Sequence, residues 1–176
     1  MAAPRLLPYT PHPCPSNEPL QFQRLATPMQ KPAKFCTHVS RSRVEGLIPP
    51  IRAALISIQD PDTGPAKINR SVWVDVLRLQ FNDLAEARPE QRDAGYVLPQ
   101  KHHARQCATF IRRHWGECFF VCCETGLGAS ASVCAVQVSL GWNYIESHPH
   151  RLSHANQLLI RLLESEFGKA AAKKDS

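Results

Sequence analysis

No run of 18 or more apolar residues occurs in the 176-residue chain, so no membrane-spanning helix is expected. The first residues lack a secretory apolar core, because prolines interrupt every candidate stretch. No internal repeat is present. The seven cysteines lack any regular spacing, which argues against a disulfide framework and for free thiols in a reducing cytoplasm. Cys118 and Cys122 stand four apart, but no second ligand pair lies at zinc-finger spacing. No metal and no cofactor are therefore expected. The chain also lacks a basic motif interleaved with aromatics. Its net charge of +6 and pI of about 9.1 leave a nucleic-acid or other anionic partner open without requiring one.

Hydrophobic residues make up 43% and charged residues 20%, the balance of one globular α/β domain with a real core. Residues 1–33 differ from the rest. Pro8, Pro11, Pro13 and Pro15 exclude a helix or a central strand there, so this segment reads as an extended arm able to dock on a protein partner. The domain proper spans 34–168, and 169–176 form a charged tail.

Within the domain, Phe35 to Val39 reads as a strand, followed by a short helix in which Ser42 and Glu45 have capping-box spacing. Ala54 to Ile58 is a second, buried strand before the turn-rich Asp60-Pro61-Asp62-Thr63-Gly64-Pro65. Trp73 to Phe81 is a third strand, and residues 85–98 a long loop. Gln100 to Trp115 is an amphipathic helix with its apolar stripe on Ala104, Cys107, Ala108, Ile111 and Trp115. Glu117 to Cys122 is a fourth strand, apolar at consecutive positions as a strand covered on both faces should be. Ser130 to Leu140 is a central helix. The last helix is capped by Ser153 and runs to Phe167. Residues 143–153 do not read as a strand. Strands alternating with helices predict a mostly parallel central sheet of four to five strands flanked by helices.

The most informative stretch is Cys122 to Ser130. A strand enters it, two glycines turn it, and a small-residue helix leaves it. The unpaired amides and dipole at a helix N-terminus suit an anion and stabilise a thiolate. From Cys123 to Ser132, however, there is no Arg, Lys or His. Gly126, Gly128 and Ala131 also satisfy a dinucleotide fingerprint, but too little chain follows for a second βαβ half.

Cys122-Cys123-Glu124-Thr125-Gly126-Leu127-Gly128-Ala129-Ser130 resembles the His-Cys-x5-Arg-Ser/Thr loop of the cysteine-based protein tyrosine phosphatases, especially the small bacterial and dual-specificity-like members. The resemblance spans about residues 34–168. It also includes Leu55 to Pro61 as the second strand, Leu79-Gln80-Phe81-Asn82-Asp83 as the strand and loop delivering a general acid, and Phe110 to His114 as the end of the preceding helix. It implies Cys123 as nucleophile, Asp83 as acid and Ser130 as the hydroxyl that follows the arginine position. Glu124, Thr125, Gly126, Leu127, Gly128 and Ala129 would cradle the phosphate. Glu86 and Asp93 are alternatives for the acid.

Two positions depart from the family: Ala129 stands at the arginine, and Cys122 at the histidine. The arginine grips two phosphoryl oxygens as a planar fork, and losing such a transition-state contact costs ~3 kcal/mol or more, a hundredfold in rate. The expectation is a phosphatase-like domain with impaired catalysis that binds a phosphorylated protein, a phosphate-bearing small molecule or a protein partner. The alternatives are an active phosphatase borrowing another cation, with Arg43, Arg105 and Arg151 as candidates, and an interaction protein with a vestigial pocket. Cys122 and Cys123 could also form a redox pair. His38 and the other histidines read as surface residues.

Overall fold

The structure is a computed structural model that describes residues 34–86, 90, 91, 94–145 and 152–172, the last four as backbone. The arm at 1–33, residues 173–176 of the charged tail, Asp93 and Arg151 lie outside the described residues.

Five parallel strands form one sheet: β1 Phe35–Ser40, β2 Ala53–Gln59, β3 Val76–Gln80, β4 Cys118–Cys123 and β5 Asn143–Tyr144, in the spatial order β3-β2-β4-β1-β5. The helices are α1 Arg41–Val44, α2 Lys101–Arg113, α3 Gly128–Ser139 and α4 Gln157–Ala172, with a 3-10 turn at Arg70–Val72. All seven residues of β2 and all six of β4 are buried, which is why both read as unbroken apolar runs. Alternation divides their side chains between two cores. Cys36, Ile56, Phe81, Phe119 and Val121 face α2, α3 and α4. Phe35, Leu55, Trp73, Phe120 and Cys122 pack with Val44, Leu47 and Ile68 on the other side. The three long helices thus share one face of the sheet.

The structure differs from expectation at several element ends. Strand β3 begins at Val76 and not at Trp73, which ends the 3-10 turn and packs into the second core. Asn143 and Tyr144 do pair with Phe35 and Cys36, giving a two-residue edge strand too short to show in a pattern. Trp115 lies beyond α2, 40% exposed, with its ring edge-on to Trp142. Glu45 closes no capping box with Ser42. Its carboxylate accepts instead from Arg41 Nε and the Lys67 amide. Helix α4 starts after Asn156, whose Oδ1 accepts from the amides of Leu158 and Leu159, and it continues past Gly168 to Ala172.

The order of the strands decides where a site can form. Strand β4 enters the sheet between β1 and β2, which were laid down earlier in the chain. The connection after β4 leads to α3 on one face of the sheet, whereas those after β1 and β2 carry Val44 and Ala66 into the core on the other. That divergence opens the crevice where parallel α/β sheets bind ligands. Cys123 is the last residue of β4 and lies at this point.

Candidate functional site

The loop from Cys123 to Gly128 joins β4 to α3. Its bend depends on Gly126, at φ +75, where a side chain would also strike the backbone of Val39 and Ser40 at 2.6–2.7 Å. The buried imidazole of His38 fixes the loop from behind. Nδ1 lies 2.6 Å from the Gly126 carbonyl, and Nε2 lies 2.6 Å from the Tyr144 hydroxyl. A carbonyl can only accept, so Nδ1 carries the proton. The Tyr144 hydroxyl bonds the ring at Nε2. This corrects the surface assignment of His38. With cysteine at position 122, a histidine from the neighbouring strand supports the loop. The signal in the sequence was its place in the apolar run Phe35 to Val39, where a surface side chain would not fit.

Cys123 is 5% exposed, and its Sγ lies 3.1 Å from Ser130 Oγ. The thiol and this hydroxyl are thus in contact. Ser130 makes this contact from inside the first turn of α3 and does not serve as its N-cap; Leu127 occupies that position without a side-chain cap. Cys122 points to the opposite face of the sheet, in the second core. Neighbouring residues of an extended strand cannot join their thiols without leaving that conformation, so the redox-pair reading does not hold for this geometry. Burial, eased only in part by Ser57, pushes the Cys122 thiol up to about 11.

Asp83 reaches the loop, but not as a free acid. Its Oδ2 accepts from the Ala129 amide at 2.5 Å, and its Oδ1 accepts from Asn156 Nδ2 at 3.0 Å. The carboxylate thus caps α3 from a separate loop, where the helix dipole favours a negative charge. Gly128 permits the approach, since a Cβ there would run into the Asp83 carboxylate. Asn156 also donates its amide to Ser132 Oγ at 2.6 Å, and so ties the starts of α3 and α4 together. Sequence reading missed Asn156, although an asparagine just before an apolar helical stripe is an ordinary N-cap signal. Glu86 is exposed and does not line the cavity described next.

The other loop residues are largely engaged. Leu127 donates its amide to Thr125 Oγ1 at 3.3 Å. Glu124 pairs through Oε2 with Arg41 Nη1 at 3.3 Å, and its carbonyl accepts from the Arg41 amide. Arg41 is the cation beside the loop that the sequence did not single out, and its guanidinium is held by Glu45 and Glu124. Arg105 pairs with Glu166 on the helical side of the domain and does not line the loop cavity.

A cavity of about 340 Å³ opens beside the thiol, lined by Cys123, Glu124, Thr125, Asp60, Asp83, Tyr96 and the ends of β2 and β3. Among the described residues, three carboxylates line it and no cationic side chain does. Burial, then the charges of Glu124 and Asp83, push the Asp60 carboxyl up from its ordinary value. These described carboxylates repel a phosphate dianion. No group of three or more acidic, histidine or cysteine side chains suited to a metal occurs among the described residues. Among the described residues, no helix is long and apolar enough to cross a membrane.

No family model, curated protein or solved structure matches the chain.

Proposed function

We propose that the chain is a protein tyrosine phosphatase-like domain that has lost phosphate turnover and acts by binding a protein partner. The observation that carries this reading is the Asp83 carboxylate on the Ala129 amide. At the position where the family places its arginine, the helix start already holds an internal anion. The thiol–hydroxyl pair, the Gly126 turn and the strand–loop–helix frame support the resemblance. The acidic lining favours a vestigial pocket over one that takes a phosphorylated ligand. A working phosphatase with a substitute cation is disfavoured, because the nearby Arg41 is engaged by two carboxylates.

Calorimetric titration of the whole protein with inorganic phosphate and orthovanadate tests the closed loop. The expected result is no saturable binding at millimolar anion. Saturable binding that is lost in Gly126→Trp but kept in the exposed-surface variant Arg52→Ala would overturn it.

A further inference from the structure

We infer that the open edge of β3 and the arginine-lined groove beside it form a docking surface for an acidic, extended segment of a partner protein, which adds to the sheet as a sixth strand. The inference does not depend on the state of the Cys123 loop.

Strand β3 pairs only with β2 among the described residues, so one of its sides is open. Phe81 gives its amide to Gln59. With the period of two along a strand, the amides of Arg78 and Gln80 then face away from β2, toward the open side. An unpaired row of this kind is a template for another strand.

A groove of about 410 Å³ runs beside this edge, lined by Leu77, Arg78, Arg105, Thr109, Phe110 and Arg113, with Gln106. The guanidinium groups of Arg105 and Arg113 line it, and among the described residues no carboxylate does; that of Arg78 turns to the Ala66 carbonyl on the other side of the sheet. Leu77 and Phe110 add apolar surface between the charges. Arg105 and Arg113 are 70% and 74% exposed, and their ion pairs with Glu166 and Asp75 are long, at 3.8 and 3.9 Å. Asp75 does not depend on Arg113, since it also accepts from the Val76 amide at 2.8 Å and pairs with His114 at 3.1 Å. Both arginines can therefore turn to a new partner at little cost.

The spacing specifies the occupant further. Arg105, Thr109 and Arg113 recur every four residues along one face of α2, and the two arginines are separated by about 12 Å of helix rise. In an extended segment, residues i and i+4 share a face and lie about 13 Å apart. Acidic side chains at those two positions would meet both arginines while the backbone pairs with β3. Charge complementarity favours a segment with acidic residues at alternate positions, i, i+2 and i+4, on the face turned to α2.

The test uses the full chain and a capped Glu-Val-Glu-Val-Glu peptide at low salt. Saturable binding is expected, with slowed hydrogen exchange at the Arg78 and Gln80 amides. Affinity should fall at least tenfold in the double variant Arg105→Glu/Arg113→Glu, whose exposed sites leave the core intact. Circular dichroism of that variant should match the native spectrum. A peptide with proline in place of both valines, which cannot donate to the edge, should bind at least tenfold more weakly. No binding by the native chain would overturn the inference. So would binding unchanged in the double variant, equal binding of the proline peptide, or an absence of protection along β3.

Discussion

His38 shows how one side chain can hold the shape of a site without touching its ligand. Its ring bridges Gly126 and Tyr144 from a position with no solvent access. Phenylalanine would fit the ring's place and make neither bond. The Gly126 carbonyl and the Tyr144 hydroxyl would lose this partner, at about 1–3 kcal/mol for a buried polar group left unpaired. His38→Phe should therefore lower stability by about 2 kcal/mol or more, measured by urea unfolding. A change within about 0.5 kcal/mol would show that the imidazole does not brace the loop. The residue types at Cys123, Gly126 and Ser130 were legible from their order in the chain, because each acts next to its own backbone. The role of His38 was not, because its partners lie 88 and 106 positions away. Asp83 was legible as a residue reaching the loop, but its bond to the Ala129 amide depends on tertiary approach.

At the scale of elements, the apolar stripes of α2 and α4 and the continuous runs of β2 and β4 were readable, because burial imposes a period on sequence. The helix starts were less so. Ser42 and Ser153 both looked like caps, yet the caps observed draw on Asp83, Asn156 and Gln100. Helix α2 makes the point through chemistry that titrates. The Gln100 amide donates to His103 Nδ1 at 3.1 Å, a bond only the neutral ring can accept. Burial, and then the neighbouring His102, lower the His103 pKa from 6.5 to about 4. The folded ring stays neutral where the unfolded ring takes up a proton. Stability from this group is therefore complete above about pH 6.5 and is lost as the pH falls from 6.5 toward 4. Urea unfolding at pH 7.5 and pH 5 should show a larger acid loss for the native chain than for His103→Gln, which keeps an acceptor but does not titrate. An equal loss in both would remove His103 from the acid response.

For the whole molecule, the order β3-β2-β4-β1-β5 is what brings separate stretches of sequence to one crevice. It sets Asp60, Asp83 and Cys123 around one cavity, from the ends of β2, β3 and β4. A mostly parallel sheet was legible from alternating strands and helices. The crowding of the long helices on one face was not, since buried strands look alike whichever layer covers them. The distribution of charge was equally hidden in the total. A chain of net charge +6 surrounds its crevice with carboxylates and presents arginines along the edge of β3. On this account the crevice keeps the frame of a phosphatase site without the electrostatics for the reaction. The most direct measurement is hydrolysis of 4-nitrophenyl phosphate by the native protein, with Cys123→Ser and Ala129→Arg assayed in parallel. The account predicts that the native rate equals that of Cys123→Ser, with turnover arising only where an arginine is restored. A native rate well above the Cys123→Ser rate would contradict it.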